Sequence, residues 1–244
     1  MDVTLQEVHR RFGTPAYVYF ASAIEQRVAD LKGAFGDRFA LSFAVKSNPN
    51  PGLLTWLRQR VDLLDVSSLG EFKLARRAGW DPARVSFTGP GKRAFELVEA
   101  IGAEIGEIVI ESPREAALAD RIAAERGKVQ DVLVRVAPDR IPKGFGDYMA
   151  GRPVAFGIDI EDIDVELPRV LALPHLKVVG FHVYSGTQCL KADAVCENYE
   201  IFASLFERIC DGHGIVPRKL VFGSGLGVPY HAGESAIDLK AVAA

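Results

Sequence analysis

The segment VFGSGLGVPY (residues 221–230) decides between two fold classes, because it places a glycine-rich turn directly after an apolar run. An open dinucleotide-binding sheet carries its glycine fingerprint after the first strand, with an acidic residue about 20 positions later. A (β/α)8 barrel instead commonly binds phosphate in the loops after its last strands. This turn follows the last recognisable strand, so the sequence predicts an α/β fold of the (β/α)8 TIM-barrel type.

Upstream of that turn, short runs rich in Val, Ile, Leu and Phe alternate with charge-dotted helical segments. The runs mostly lack strict polar alternation, as expected of strands that are covered on both faces. They predict strands at residues 39–45, 61–67, 84–89, 107–112, 131–137, 176–184 and 219–225. Periodic stretches predict helices within residues 51–60, 70–79, 93–105, 112–127 and 197–212. Because a closed barrel needs eight strands, we expect an incomplete barrel with about seven.

The expected domain organisation is a lead-in helix and strand over residues 1–25, followed by a truncated barrel domain over residues 26–244. Two intervals between strands are about twice as long as the others, which leaves room for a loop or lid beside the crossover helix. The last stretch, residues 231–244, is interpreted as a helix that leads to a missing eighth strand. The chain is therefore expected to be a fragment, or a truncated relative, of a longer protein.

The composition excludes several classes of partner. The 244 residues carry 29 Lys and Arg against 32 Asp and Glu, a net charge of -3, which argues against nucleic acid or an anionic membrane. We find neither an apolar signal core nor a run long enough to span a bilayer. The three cysteines lack metal-ligand spacing, and the five histidines show no metal pattern. A cytoplasmic protein without a metal site is expected.

Lys46 is the most informative candidate, because it ends the apolar strand within FAVKSNPN (residues 43–50). A lysine at the catalytic rim of a barrel can lose its proton through burial and then attack a carbonyl carbon. The alternative is a lysine that extends to the barrel mouth for solvation alone. The local pattern does not separate the two interpretations.

Further candidates lie at the ends of other predicted strands. In FHVYSGTQ, a neutral His182 could stack on a flat cofactor and Ser185 could bind phosphate, although a strand-end histidine is commonly a packing residue. In DVSSLGE, Ser68 and Glu71 also fit a helix capping box, close to Asp65. Arg135 lies within a strand and needs a partner at the barrel mouth, whether a structural ion pair or a cofactor.

The order of these motifs carries more information than any one of them. The succession GTPAYVYF, FAVKSNPN, DVSSLGE, GPGKR, LVRVAP, FGID, FHVYSGTQ and GSGLGVPY resembles the fold-type III pyridoxal-phosphate decarboxylases. This is the diaminopimelate, ornithine, lysine and arginine decarboxylase group, which shares the barrel of alanine racemase. The resemblance spans essentially the whole chain and implies pyridoxal 5'-phosphate as the cofactor.

The resemblance assigns each candidate a role. Lys46 would form the Schiff base with the cofactor aldehyde, and His182 would stack on the pyridine ring. The phosphate would be held by Ser185, Gly223, Ser224, Gly225, Leu226 and Gly227. Supporting roles at the same rim would fall to Asp65, Ser68, Glu71 and Arg135.

Two departures from the family pattern are local, and one is large. Tyr184 stands where the family usually has glycine, and Ser224 is the middle residue of its glycine triplet. Neither change removes a backbone N–H, so phosphate binding can survive both. The family's eighth-strand acid and C-terminal β-domain do not appear after Tyr230, so weak or no turnover is expected of this chain alone.

The expected function is decarboxylation of an amino acid, either free or tethered to a carrier, by a protein that forms a homodimer at full length. One alternative is a racemase on the same barrel, which breaks the Cα–H bond instead. Another is a non-catalytic pyridoxal-phosphate-binding protein that buffers the cofactor. Product analysis separates these alternatives, since a decarboxylase releases carbon dioxide and an amine.

Overall fold

The computed structural model describes residues 4–149 and 151–244 and contains one large parallel sheet. The strands are β1 (Ser42–Ala44), β2 (Leu63–Val66), β3 (Val85–Phe87), β4 (Glu107–Ile110), β5 (Gln130–Ala137), β6 (Asp147–Tyr148), β7 (Ile158–Asp159), β8 (Leu176–Val183), β9 (Gly186–Thr187) and β10 (Lys219–Phe222). Seven of them follow the order β1-β2-β3-β4-β5-β8-β10 in the sheet, and the short β7 pairs with β5. β6 and β9 form a separate antiparallel pair. The predicted incomplete barrel is confirmed, with every predicted strand present.

Helices connect the strands and cover the outer face of the sheet. They are α1 (Leu5–Phe12), α2 (Ala21–Phe35), α3 (Pro51–Leu57), α4 (Leu69–Arg77), α5 (Ala94–Gly102), α6 (Pro113–Glu125), α7 (Ile163–Leu171), α8 (Ala192–His213) and α9 (Leu239–Ala243). Among the described residues, none of these helices is long and apolar enough to cross a membrane. The domain division at residue 25 stays a prediction, and residues 16–20, within the predicted lead-in strand, are not assigned to a strand.

Two intervals carry structure that the periodicity did not predict. The long interval between β5 and β8 contains a loop and the crossover helix α7, as expected, but also the short strands β6 and β7. The predicted helix over residues 231–244 forms only at Leu239–Ala243, where the Asp238 side chain accepts hydrogen bonds from two backbone N–H groups. Gly233 has a φ of 92° and the Glu234 carboxylate accepts hydrogen bonds from Tyr230 and His231 N–H, so a turn occupies the first part of that stretch.

Side chains on the two faces of the sheet belong to different hydrophobic clusters. Ile108 and Ile110 of β4 join the large core between the sheet and the helices, whereas Val109 between them belongs to a small cluster with Leu133 and Val179. Because successive strand residues point to opposite faces, that small cluster marks the inner face of the barrel. This alternation decides which residues can reach the barrel mouth.

Candidate active site at the carboxyl ends of the strands

Three polar side chains share the inner face near the carboxyl ends of the strands. Asp65, Arg135 and His182 each lie between two residues of the large outer core, so their own side chains point inward. The parallel register pairs Arg135 with His182 and Asp65 with Ser86 on neighbouring strands. The sheet therefore brings a carboxyl group, a guanidinium group and an imidazole to one end of the barrel, as predicted.

Lys46 follows the first strand directly, within a short 3-10 helix at Val45–Ser47. The register pairs Ala44, the last residue of β1, with Asp65 on β2, so Lys46, two residues after Ala44, lies at the same end of the sheet as Asp65. The residue is nevertheless exposed. This exposure agrees with a lysine that extends to the barrel mouth, an interpretation that the sequence left open beside burial.

Asp65 is half-buried, and two hydroxyl groups donate hydrogen bonds to its carboxyl group. Ser86 Oγ donates to its Oδ1 at 3.0 Å, and the Thr88 hydroxyl donates to the same oxygen. Burial raises the pKa of Asp65, while these hydroxyl groups and the charges of Lys46 and Arg135 act in the opposite direction. Asp65 is therefore a group that can hold a proton more readily than an exposed aspartate.

His182 is a neutral imidazole. Burial, followed by the charges of Arg135 and Lys46, lowers its pKa to about 3. Its Nδ1 atom is buried and accepts or donates no hydrogen bond within the described residues. The neutral, flat ring expected from the sequence is present, with one polar atom still without a partner.

Arg135 has a buried partner, as its position in a strand demanded. Its Nη1 atom lies 3.2 and 3.3 Å from the two carboxylate oxygens of Glu111, and its guanidinium group stacks on the Phe156 ring at 4.7 Å. Neither side chain of the ion pair is more than 5% exposed. The structural ion pair is confirmed, whereas a contact with a cofactor stays a prediction.

The glycine-rich turn after β10 packs so closely that larger residues would not fit. Gly225 has a φ of 62°, and a Cβ atom there would lie 2.6 Å from both Gly186 O and Phe145 Cε1. A Cβ atom on Gly227 would lie 2.9 Å from Cys189 O. The Ser185 hydroxyl is fully buried and has no partner among the described residues. The turn thus forms a concave backbone surface beside an unsatisfied hydroxyl group.

This chain is matched by the sequence profile described as "Pyridoxal-dependent decarboxylase, pyridoxal binding domain", over residues 21–244. The chain belongs to the pyridoxal-dependent decarboxylase family. The motif order had predicted this family, and the match confirms that prediction.

Similar proteins of this decarboxylase family are known from several organisms. The L-glutamyl-[BtrI acyl-carrier protein] decarboxylase of Niallia circulans is 34% identical over 94% of this chain. The diaminopimelate decarboxylase of Aquifex aeolicus is 35% identical over 93%. The chain spans 54% of the length of either relative, so it matches about half of each.

Solved decarboxylase structures have the same fold. The diaminopimelate decarboxylase of M. jannaschii is 26% identical, with a TM-score of 0.89 over 98% of this chain and 57% of that one. The Helicobacter pylori enzyme in complex with L-lysine is 26% identical, with a TM-score of 0.83 over 98% of this chain and 61% of that one. The barrel is therefore the part of these longer decarboxylases that the present chain shares.

The residues at the barrel mouth fit the family's cofactor, pyridoxal phosphate. A phosphate group needs hydrogen-bond donors, and the unpartnered Ser185 hydroxyl and the backbone N–H groups of residues 224–226 offer them. The N–H groups of Gly223 and Gly227 already donate to Val183 O and Cys189 O. A pyridine ring needs a flat face, which the neutral His182 ring offers. An aldehyde needs an amine, and Lys46 supplies one at this end, two residues after the Ala44 that pairs with Asp65.

One departure and two weaker candidates have defined contacts in the structure. Ser68 is the N-cap of α4 and accepts a hydrogen bond from Glu71 N at 3.2 Å. The Glu71 carboxylate bonds Ser67 N at 2.7 Å rather than Ser68 N, so the predicted capping box forms with a shifted partner. Tyr184 lies against Gly223, where a larger residue would collide with its side chain. A cofactor role for Ser68, Glu71, Ser224 and Leu226 stays a prediction.

Sequence reasoning missed four residues around the site. Glu111 binds Arg135, and Glu115 forms a buried ion pair with Lys92 at 2.5 Å. Phe145 packs on Gly225, and Gln188 Oε1 accepts a hydrogen bond from Val228 N at 3.2 Å. Glu111 and Glu115 flank the start of α6, where their burial was not visible from a pattern of acidic residues. A buried Arg135 was the one signal that required such an acid.

Proposed function

We propose that this chain forms the cofactor-binding part of a pyridoxal-phosphate-dependent amino-acid decarboxylase, with Lys46 as the cofactor's lysine. One observation carries the proposal: the strand register brings Lys46, Asp65 and His182 to the end of the sheet where the glycine turn follows β10. An amine, a neutral ring and phosphate donors are the three groups that the cofactor requires. Turnover by the longer protein remains part of the proposal.

Each side chain at the mouth has a defined task. Ser185 and the turn at residues 223–227 would bind the phosphate. The neutral His182 ring would offer a flat face to the pyridine ring. Asp65, whose pKa is raised by burial, would take up a proton at this end of the sheet more readily than an exposed aspartate. When bound, pyridoxal phosphate supplies an electron-withdrawing ring that accepts the electrons of a broken Cα bond.

The proposed substrate is an amino acid, either free or joined to a carrier protein. A relative named for a carrier-bound substrate and one named for a free amino acid match this chain at 34% and 35% identity, so sequence identity favours neither substrate class. We further propose that the longer protein is a homodimer of the cytoplasm. The three free cysteines agree with a reducing compartment.

Covalent trapping tests the proposed cofactor lysine. The chain is mixed with pyridoxal phosphate, reduced with borohydride and digested, and the modified peptide is located by mass spectrometry. We expect the label on Lys46 and its loss in Lys46→Ala, whereas Lys143→Ala, a control on the loop after β5, keeps it. Label spread over several surface lysines, with the same yield in Lys46→Ala, would refute the assignment.

Carbon dioxide release tests the reaction itself. Because weak or no turnover is expected of this chain alone, labelled diaminopimelate and carrier-bound glutamate are each offered, with the cofactor, to the longer protein of the proposal, and the amine product is identified. We expect carbon dioxide and an amine from one of the two substrate classes. A product that is only the opposite enantiomer would show that the barrel serves a racemase instead.

A further inference from the structure

Glu111 gathers three separate segments of the barrel mouth on one carboxylate. It follows β4 directly, and its side chain is 1% exposed. Its Oε1 atom accepts a hydrogen bond from Gly89 N at 2.7 Å, and its Oε2 atom accepts one from Gly157 N at 2.9 Å. Arg135 Nη1 donates to both oxygens. One side chain thus binds the loop after β3, the strand β5 and the segment before β7.

These contacts satisfy a charge that would otherwise be costly to bury. A buried carboxylate is tolerated only when it is paired and its remaining lone pairs accept hydrogen bonds. Arg135 supplies the opposite charge and the two glycines supply the further donors. Since the two glycine partners are 22 and 46 residues away in sequence, Glu111 fixes the relative positions of segments that no local interaction connects.

A second buried ion pair holds Glu111 itself. Glu115 Oε2 accepts a hydrogen bond from the Glu111 backbone N–H at 3.1 Å. Lys92, the partner of Glu115, donates to Gly89 O at 2.6 Å and to Val109 O at 2.8 Å. The backbone on both sides of the Glu111–Gly89 contact is therefore held by the Lys92–Glu115 pair.

The Glu111 contacts lead directly to the candidate site. Arg135, its ionic partner, is the register partner of His182 on the next strand. Gly157 ends the long loop after β5, which also carries Phe145 against the glycine turn. Any displacement of Glu111 must therefore move a cation next to His182 and one end of the loop that packs on the proposed phosphate site.

We propose that Glu111 is a positioning residue, whose carboxylate sets Arg135 beside His182 and fixes the loop end at Gly157 for cofactor binding. This inference rests on the proposed function, since it assigns Glu111 a task in preparing that same site. Glu111 acts through Arg135 and Gly157 and does not itself touch the cofactor.

The test compares Glu111→Gln with Glu107→Gln, a matched control. Glu107 begins the same strand, is 12% exposed and pairs with Lys219 at 3.0 Å, but it lies at the opposite end of the barrel. Both changes remove one partner of an ion pair and should lower stability. Only Glu111→Gln places an amide N–H2 group where Arg135 and Gly157 need acceptors.

Three quantities are measured in each variant: the free energy of unfolding, amide hydrogen exchange at Gly89 and Gly157 in the cofactor-free chain, and pyridoxal-phosphate affinity from absorbance titration. In Glu111→Gln we expect exchange at Gly157 to accelerate roughly tenfold or more, and affinity to fall by a similar factor. In Glu107→Gln both should change less than about twofold.

The outcomes separate this inference from the proposed function. Equal affinity and equal Gly157 exchange in the two variants would overturn the positioning role. If Glu111→Gln does not fold, Glu111→Asp keeps the charge but shortens the reach, and the same two changes are expected in it. A wild-type chain that takes up no pyridoxal phosphate would refute the proposed function, and Gly157 exchange would still decide whether Glu111 fixes the loop end.

Discussion

Arg135 and His182 are register partners on β5 and β8, so a guanidinium group lies beside a buried imidazole on the inner face of the barrel. Together with burial and the charge of Lys46, this neighbour lowers the pKa of His182 to about 3. The guanidinium group is held by Glu111, whose two carboxylate oxygens accept hydrogen bonds from Arg135 Nη1. The arrangement presents a neutral ring to a ligand at any ordinary pH.

The first prediction concerns the protonation of His182. Its pKa is lower in the folded chain than in the unfolded chain, so the unfolded chain binds more protons as the pH falls below about 6.5. The free energy of unfolding should therefore decrease with falling pH, by up to about 1.4 kcal/mol per pH unit from this residue, until the pH reaches the folded pKa. Denaturation at several pH values should show a shallower decrease in His182→Gln, and identical slopes would contradict the prediction.

Asp65 should contribute a dependence of opposite sign. Burial raises its pKa in the folded chain, so between the unfolded and folded pKa values the folded chain binds more protons. Its contribution to stability therefore falls as the pH rises through that window. We expect Asp65→Asn to gain stability relative to wild type as the pH is raised from acidic toward neutral. Asp139→Asn, an exposed control on the loop after β5, should show the wild-type dependence of the unfolding free energy on pH. The same wild-type dependence in Asp65→Asn would contradict the prediction.

Gly225→Ala should damage the turn that is proposed to bind phosphate. The added Cβ would meet Gly186 O and Phe145 at 2.6 Å in a backbone with positive φ, so we expect a loss of about 1–3 kcal/mol. Pyridoxal-phosphate affinity should fall as well. Gly33→Ala is the matched control, because Gly33 lies inside α2 with open space around it and alanine favours helix by roughly 1 kcal/mol. Thermal unfolding and absorbance titration measure both effects.

The Lys92–Glu115 pair should be far more sensitive than a surface pair. The Lys92 side chain is 1% exposed, so Lys92→Met leaves a buried carboxylate without its partner, at a cost of about 3–5 kcal/mol. Lys128 pairs at 3.0 Å with Glu104, whose side chain is 80% exposed, and Lys128→Met should cost less than about 1 kcal/mol. Urea denaturation of the two variants compares the costs. Similar losses of unfolding free energy in the two variants would show that burial does not determine how much an ion pair contributes to stability.

The strands and the site's strand-end residues could be predicted because their signals are local. Apolar runs located every strand of the large sheet except β7, and Lys46, Asp65, Arg135 and His182 all lie at the predicted end of the barrel. These features depend on neighbouring residues and on the rule that parallel strands share one carboxyl edge. The motif order then identified the family.

The remaining features depend on contacts between distant segments. The β6–β9 pair joins residues about forty positions apart, and its two-residue strands are too short to show periodicity. Glu111 could not be distinguished from a surface acid, because its partner Gly157 lies 46 residues further along the chain. The exposure of Lys46 was left open by its local pattern, since burial depends on what surrounds a strand end rather than on the strand itself.

The large sheet grows in the order of synthesis. β2 pairs with β1, β3 with β2, and so on to β5, then β8 and finally β10, so each of these strands meets a partner that the ribosome has already released. Domains generally begin to fold from their N-terminal part during translation. A nascent chain can therefore extend this barrel one unit at a time. The Glu111 carboxylate receives its last hydrogen bond, from Gly157 N–H, only after residue 157 has left the ribosome.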